Sequence, residues 1–298
     1  MVSHHQNQKK YPDDNPLKIS LAILTPDVTV EIPVALLNGT FDERLGRAFR
    51  LGYDGVELMV ARPAELNAAE ISLQIKQHAL KVSAISSGAV YKMDKLSLLC
   101  ADQTERPKAV ARLLELVDFA ALVGAPLVTI GSFRGKLAWT GNEDAYNYFV
   151  EVLKLTCAHA VKQGVLLAIE PLNRYETDVI HTVSEALTLI NQVGSPALGV
   201  LIDTFHANIE EAQPVESFRK AKQANRLFHI HLGDSNRLPP GQGHFDFVAM
   251  VAVLQEIGYS GYLSAELLPQ PDPDRAAAMT IQVMRKLVPG PDFVEENE

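Results

Sequence analysis

The chain has 298 residues, of which 47% are hydrophobic and 21% are charged, a balance typical of a globular protein with a large buried core. Its 36 acidic and 27 basic residues give a formal net charge of −9, which provides no overall attraction to nucleic acid or to an anionic membrane surface. Since no apolar stretch approaches the roughly 20 residues that a membrane-spanning helix needs, we expect neither nucleic acid nor a membrane as a partner.

The two ends of the chain differ in composition from the rest. Residues 1–17 are polar and lack the apolar core of a signal peptide, so we predict a disordered tail there. We predict one catalytic domain over residues 18–290 and an acidic tail over 291–298. The two cysteines, Cys100 and Cys157, do not have the spacing of a redox or zinc motif, which fits a reducing compartment. A cytoplasmic location is therefore expected.

From residue 19 onward, short aliphatic and β-branched runs alternate with longer segments of helical periodicity. The predicted strands are Ile19–Thr25, Gly55–Val60, Val82–Ser86, Leu127–Gly131, Leu166–Glu170, Leu198–Asp203, Leu227–Leu232 and Tyr262–Glu266. The predicted helices cover residues 41–52, 66–79, 105–123, 143–163, 182–193, 214–225, 246–257 and 273–287. Several helices end at a glycine, for example Gly124 and Gly164, which is typical of a left-handed helix terminus.

Eight strands that alternate with eight helices, without a flexible linker between them, predict a single α/β domain. Parallel strands joined by helices form a sheet, and eight such units close into a (β/α)8 TIM barrel. An open, doubly wound sheet is the alternative. However, no G-x-G-x-x-G or G-x-x-x-x-G-K-[ST] motif follows the first strand, so nucleotide binding of those kinds has no support.

In a TIM barrel, the chemistry lies at the carboxyl ends of the strands, where the fifth to eighth predicted strands carry Glu170, Asp203, His231 and Glu266. Any one of these residues taken alone is more simply a helix cap or an ion-pair partner. Each carboxylate, however, follows an apolar run in which an unpaired charge costs several kcal/mol. One shared divalent cation would neutralise all three. Carboxylates with an imidazole suit Mn²⁺, Mg²⁺ or Co²⁺.

The seventh strand carries a second histidine, His229, two residues before His231. Strand alternation places both rings on one face of the sheet. His231 is nearer the carboxyl end and is the better ligand candidate, whereas His229 is expected to be a deeper supporting group. Either ring can instead be a hydrogen-bonded histidine of the core.

Four motifs occur in one order along the chain: E-P-L-N-R-Y-E, L-I-D-T-F-H-A-N-I-E-E, H-I-H-L-G-D-S-N-R-L-P-P-G-Q-G and S-A-E-L. In these motifs the chain resembles the xylose isomerase-like sugar phosphate isomerases and epimerases, most closely the ketose 3-epimerases typified by D-tagatose and D-psicose 3-epimerase. The similarity is strongest over residues 166–268. It implies that one divalent metal, foremost Mn²⁺, is held by Glu170, Asp203, His231 and Glu266. It also implies that Glu176, His206 and Arg237 bind the sugar.

The predicted function is that of a metal-dependent isomerase that inverts the carbon next to the ketone of a small sugar. A metal bound to the carbonyl and the neighbouring hydroxyl oxygen stabilises a cis-enediolate. Glu170 and Glu266, on the fifth and eighth strands, can approach from opposite sides. One then removes the proton and the other returns a proton to the opposite face.

Several alternatives stay open at this stage. Arg62 and Arg134 can bind a phosphate or carboxylate of the substrate, or can pair with acidic neighbours, so a free ketose, a ketose phosphate and a keto-glycoside all remain candidates. A lyase, a dehydratase or a 4-epimerase would use the same groups. An abasic-site endonuclease would need a multi-zinc cluster and a basic groove, which nine histidines and the acidic charge disfavour. The intact ligand set argues against an inactive sugar-binding protein.

The only tryptophan, Trp139, lies in the loop after the fourth predicted strand, close to Phe133 and Leu137. Such an aromatic loop can form an apolar wall against a sugar or a contact between subunits. We favour the wall. We also expect a homo-oligomer, either a dimer or a tetramer.

Overall fold

The computed structural model of the protein describes residues 17–100, 102–141 and 144–288. Eight parallel strands form a closed barrel in which every strand pairs with its neighbours in sequence and the eighth pairs with the first. The strands are β1 (Lys18–Leu24), β2 (Gly55–Met59), β3 (Lys81–Ser86), β4 (Leu127–Ile130), β5 (Leu166–Ile169), β6 (Leu198–Asp203), β7 (Leu227–Leu232) and β8 (Tyr262–Ala265). The predicted TIM barrel is confirmed, and no strand end differs from its predicted position by more than one residue.

The helices surround the barrel. They are α1 (Phe41–Arg50), α2 (Ala68–Gln77), α3 (Gly88–Asp94), α4 (Arg106–Val123), α5 (Ala145–Gln163), α6 (Val183–Val193), α7 (Thr204–Glu210), α8 (Pro214–Gln223), α9 (Phe247–Glu256) and α10 (Pro273–Leu287). Eight of these correspond to the predicted helices. The sequence patterns missed α3 and α7, which have seven residues each and are too short to show a helical period.

Local signals explain where several helices begin and end. Thr40 and Thr182 each form a capping box at the start of α1 and α6, and Asp246 caps α9. Gly124 and Gly164 have φ angles of 76° and 69° at the ends of α4 and α5. Glycine adopts this left-handed conformation without the steric penalty of a side chain.

The main core fills the space between the strands and the surrounding helices. A smaller cluster, which includes Ala168 and Leu201, fills part of the barrel interior. Because side chains alternate along a strand, Glu170 and Asp203, two residues further along, project to the same interior side. The packed interior thus forms the floor beneath the carboxyl ends of β5 and β6.

The predicted tails fall outside the described residues, except for Leu17, which is buried. Both cysteines are free, and Cys100 is only half-buried. Within the described part of the chain, none of the helices is both long and apolar enough to cross a bilayer.

Candidate metal centre and active site

The structure brings together the four residues that the sequence placed at the ends of β5 to β8. Glu170, Asp203, His231 and Glu266 are 6%, 1%, 1% and 8% exposed, and one oxygen or ring nitrogen from each lies within 4.8 Å of the other three. The His231 Nδ1 atom is 3.5 Å from Glu170 Oε1 and 3.4 Å from Glu266 Oε2. Four side chains from four successive strands therefore converge on one small volume, which we call the carboxylate–histidine cluster.

The polar atoms of this cluster fit a divalent cation. Glu170 Oε1, Asp203 Oδ2 and His231 Nδ1 are buried and have no hydrogen-bond partner among the described residues. Burial raises the pKa of Asp203 to about 8, and the charge of Glu170 adds to this shift. Buried polar atoms without hydrogen-bond partners cost free energy, and so do negative charges that lie close together. A bound cation would compensate both costs. Oxygen donors with one imidazole suit Mn²⁺, Mg²⁺ or Co²⁺.

Backbone contacts explain why the carboxylates point into the cluster. Asp203 Oδ1 accepts hydrogen bonds from the backbone N–H groups of Phe205 and His206 at 2.7 and 3.4 Å. It caps α7 in this way and leaves Oδ2 for the cluster. On the neighbouring strand end, Gly131 lies so close to the Glu170 carboxylate that a β-carbon at this position would collide with it. A glycine after β4 therefore makes room for Glu170.

Sequence reasoning missed a further buried carboxylate beside the cluster, Glu57 on β2, which has 0% exposure. His229 Nε2 donates to Glu57 Oε2 at 2.9 Å, and His231 Nε2 donates to Glu57 Oε1 at 3.0 Å. Burial tends to lower the pKa of His231, but the charges of Glu57 and Glu266 raise it well above the ordinary value. A lone glutamate in the apolar run of β2 was the available signal. His229 is the deeper group that was expected, and it reaches His231 through Glu57.

The three residues predicted to bind the sugar border the cluster. Arg237 Nη1 lies 3.1 Å from Glu176 Oε1, and Nη2 lies 3.6 Å from Glu266 Oε2. The Arg237 guanidinium also stacks 5.0 Å above the centre of the Phe205 ring. His206 Nε2 is 3.9 Å from Asp203 Oδ2. Arg174, two residues before Glu176, pairs with Glu210 instead. The Arg237 side chain is mostly buried.

A second residue that the sequence did not reveal, Asn173, orients His206. The Asn173 backbone N–H and side-chain amide approach His206 Nδ1 at 3.3 and 2.8 Å, and the same amide donates to Glu176 Oε1 at 3.1 Å. Burial, followed by the charge of Arg237, lowers the pKa of His206 well below its ordinary value. Because Nδ1 accepts from Asn173, the hydrogen of the neutral ring is on Nε2, which is buried and has no hydrogen-bond partner in the part of the chain that the structure describes.

The loop that carries Arg237 is tied to the buried Asp234. The Asp234 carboxylate accepts backbone N–H groups of Ser235, Gly241, Gly243 and Phe245 at 2.7 to 3.0 Å. Arg237 has a φ angle of 62°, and its carbonyl accepts the N–H of Leu268 at 2.8 Å. These bonds fix a strained loop over the cluster and join it to the end of β8.

Both arginines considered for an anionic substrate contact other groups of the protein. Arg62 is paired with Asp94, at 2.6 Å through Nη2, which agrees with the acidic-neighbour interpretation. Arg134 has 0% exposure, and its Nη1 donates to the backbone carbonyl of Glu170 at 2.5 Å. This contact is neither a substrate-anion site nor an ion pair with an acidic side chain, the two roles considered from the sequence. Arg134 Nη2 donates to the carbonyls of Val179 and Ile180 at 3.0 and 3.1 Å. Arg134 thus supports the backbone beside the cluster.

Trp139 is stacked on Tyr91, with ring centroids 5.5 Å apart and an angle of 22° between the planes, and 37% of Trp139 is exposed. The aromatic pair joins α3 to the loop after β4. The prediction that Trp139 forms a wall for the sugar stays a prediction.

A comparison with known families covers most of the barrel, because residues 45–287 match the model of the xylose isomerase-like TIM barrels. The chain belongs to this family. The resemblance noted in the motifs is thereby confirmed, and the relatives described next are named as epimerases, which are isomerases of carbohydrates.

Two relatives in sequence and one in structure illustrate the similarity. The D-psicose 3-epimerase of Enterocloster bolteae is 29% identical over 265 residues, which are 86% of this chain and 85% of that protein. The 3-dehydro-D-guloside 4-epimerase of Escherichia coli is 27% identical over 243 residues, or 76% and 88% of the two chains. The crystal structure of D-psicose 3-epimerase with D-tagatose from Clostridium cellulolyticum H10 superposes with a TM-score of 0.76 and 21% identity, covering 91% of this chain and 99% of the other. At that identity, the superposition supports the shared fold.

Proposed function

We propose that this protein is a divalent-metal-dependent epimerase that inverts the carbon next to the ketone of a small sugar, in the manner of a ketose 3-epimerase. The observation that carries the proposal is the carboxylate–histidine cluster, in which buried acceptor atoms without partners converge from four strands. The relatives described above support a sugar as the substrate. Cytoplasmic location and homo-oligomerisation stay predictions from the sequence.

The residues that would hold the metal are Glu170, Asp203, His231 and Glu266, and we propose Mn²⁺ as the ion, with Mg²⁺ and Co²⁺ as substitutes. A divalent cation held there would withdraw charge from a carbonyl and from the hydroxyl on the neighbouring carbon, so the C–H bond of that neighbouring carbon would become acidic enough for a carboxylate to break. The remaining steps depend on side chains of this chain.

Proton transfer is assigned to Glu170 and Glu266. These carboxylates come from β5 and β8, on the two sides of the strands that carry Asp203 and His231, and each lies about 3.5 Å or less from His231 Nδ1. We propose that one of them takes the proton from the substrate carbon and that the other delivers a proton to the opposite face. In a reversible epimerase, each carboxylate takes both roles, depending on the configuration of the substrate.

The bordering residues would orient the sugar. His206 Nε2–H is a buried donor without a partner, so it is suited to a carbonyl or hydroxyl oxygen of the substrate. Glu176 and Arg237 offer an acceptor and a donor, which suits sugar hydroxyls because a hydroxyl group both donates and accepts. Since Arg62 and Arg134 are engaged elsewhere, we propose an uncharged keto-sugar rather than a ketose phosphate.

A second candidate is a 4-epimerase acting on a keto-glycoside. The similarity to the 3-dehydro-D-guloside 4-epimerase favours it, and the same cluster would serve because the inverted carbon is again next to a ketone. The two candidates differ only in which substrate carbon faces the carboxylates.

Hydrogen exchange tests the proposal. The Mn²⁺-loaded protein is incubated in D₂O with free ketoses, ketose phosphates and 3-keto-glycosides, and deuterium uptake is followed by NMR. We expect deuterium at one carbon next to the ketone, together with the epimer, and no exchange in the sample treated with a chelator. Absence of exchange with every substrate would overturn the proposal. Exchange accompanied by elimination would show a lyase instead.

A further inference from the structure

Glu57 is a fully buried charged side chain of the barrel that the proposed reaction does not use. It lies in the middle of β2, between Val56 and Leu58, and all three residues have 0% exposure. A carboxylate in such surroundings is unfavourable unless hydrogen bonds or charges compensate it. The compensation for Glu57 comes from β7, 172 and 174 residues later in the chain.

The contacts of Glu57 determine how the His231 ring is presented. Glu57 Oε1 lies 3.0 Å from His231 Nε2, and an ionised carboxylate can only accept, so this nitrogen carries a hydrogen. The other ring nitrogen, Nδ1, faces Glu170 and Glu266 at 3.5 and 3.4 Å. In the neutral ring, Nδ1 then carries the free lone pair, and Nδ1 is therefore the atom that can bind a metal.

His229 holds the second oxygen of the same carboxylate. Its Nε2 lies 2.9 Å from Glu57 Oε2, and its ring makes an edge contact with the His231 ring, with centroids 5.3 Å apart. With both oxygens engaged, the Glu57 carboxylate cannot rotate away from His231 without breaking a buried hydrogen bond. The three side chains form a clasp, which we call the Glu57 clasp.

We propose that Glu57 is a positioning residue that fixes His231 as a metal ligand through Nδ1, with His229 holding Glu57 in place. This inference rests on the proposed metal site. Among the described residues, Glu57 contacts the carboxylate–histidine cluster through the imidazole of His231, on the side away from Nδ1. A carboxylate of this kind, behind a ligand histidine, typically contributes 10- to 100-fold to metal affinity.

The test measures Mn²⁺ affinity by electron paramagnetic resonance of the free ion, so it needs no substrate. Glu57→Gln keeps the shape but can accept from only one of the two histidines, and its amide group opposes the other. We expect a dissociation constant about 10- to 100-fold larger than that of the parent protein. Glu151→Gln, at an exposed position on α5, is the matched control and should bind like the parent.

Two further variants keep the test decisive if Glu57→Gln folds poorly, as judged by circular dichroism. His229→Phe leaves the bond from Glu57 to His231 but frees the other oxygen, and we expect an affinity loss of about three- to tenfold. Glu57→Asp keeps the charge but withdraws it from the rings, and we expect an affinity between those of Glu57→Gln and the parent. Folded variants that all bind Mn²⁺ within twofold of the parent would overturn the proposal and leave Glu57 as a structural group.

This experiment separates the clasp from the proposed function. If the parent protein binds Mn²⁺ but exchanges no substrate proton, the epimerase proposal fails and the affinity comparison still stands. If the parent exchanges the proton and Glu57→Gln binds Mn²⁺ equally well, only the role assigned to Glu57 fails.

Discussion

The two halves of the barrel differ in the side chains that stand at the carboxyl ends of their strands. In the second half, β5 to β8 end in three carboxylates and an imidazole that converge on one point. In the first half, the residues that follow β1, β3 and β4 are Thr25, Ser87 and Gly131. The Thr25 and Ser87 hydroxyls bond to backbone carbonyls of their neighbours, at 2.7 and 2.6 Å. Both halves form the closed barrel, but the carboxylate–histidine cluster lies at the strand ends of the second half.

Some charged residues of the first half pair with one another. Asp94 lies 2.6 Å from Arg62 Nη2 and 2.7 Å from Arg112 Nη1. Other side chains of the first half reach across to the second half. Arg47 and Asp54 pair with Asp274 and Arg285 on α10. Closer to the cluster, Glu57 contacts the histidines of β7, and Arg134 contacts the backbone after β5. The first half therefore supports the site through a few buried hydrogen bonds between residues that are far apart in sequence.

The largest effect is expected where the second half is altered directly. Glu266→Gln keeps the shape of the side chain but removes a base and a ligand oxygen, so we expect the rate of deuterium exchange to fall on the order of 1000-fold or more. Glu65→Gln, an exposed carboxylate of the first half, is the matched control and should exchange like the parent. A folded Glu266→Gln that keeps a tenth of the exchange rate would contradict the two-carboxylate mechanism.

A first-half residue that supports the second half should affect stability strongly. Arg134→Met removes the buried guanidinium that donates to the carbonyls of Glu170, Val179 and Ile180, and Ile180 has a strained φ of 63°. We expect the free energy of unfolding to fall by about 3 kcal/mol. Urea denaturation measures it. A loss below about 1 kcal/mol, the range of an exposed ion pair, would show that Arg134 is not a support.

The affinity of the second half for Mn²⁺ should depend on pH. Burial raises the pKa of Asp203 to about 8, with the charge of Glu170 adding to the shift, while Arg237 and His231 oppose it. Below that pH, the metal-free site holds a proton that Mn²⁺ must displace. Affinity should therefore rise at least about tenfold per pH unit from pH 6 to about 8 and then level off. Calorimetric titrations across this range check it, and a flat profile would contradict the assignment of Asp203.

The smallest effect is expected for the paired arginine of the first half. Arg62 is partly exposed and bonded to Asp94, so Arg62→Ala should cost no more than about 1 kcal/mol of stability. Its exchange rates with a free ketose and with the corresponding ketose phosphate should both stay within about twofold of the parent. A selective loss with the phosphate would show that the first half binds substrate after all.

The sequence predicted the barrel and the members of the cluster well, since both depend on local patterns. Strand alternation and the strand-end rule place Glu170, Asp203, His231 and Glu266 in one region without any knowledge of pairing across the barrel. These are short-range signals. A residue needs only its own strand to be recognised in this way.

The supporting contacts were beyond the reach of the sequence for a physical reason. Glu57 meets His229 across a separation of 172 residues, and Arg134 meets carbonyls that any residue type provides. Asn173 acts through one amide group placed by a loop. Such contacts depend on the three-dimensional path of side chains, and no spacing in the chain records them.

The central claim is that the second half of the barrel holds one divalent cation. Anomalous diffraction at the manganese absorption edge, from crystals grown with Mn²⁺, tests it most directly. We expect one strong peak per chain, bounded by Glu170, Asp203, His231 and Glu266, with His231 approaching through Nδ1. Manganese peaks only at other positions would contradict the claim. So would the absence of a peak in crystals grown at a Mn²⁺ concentration at which the protein binds the ion in solution.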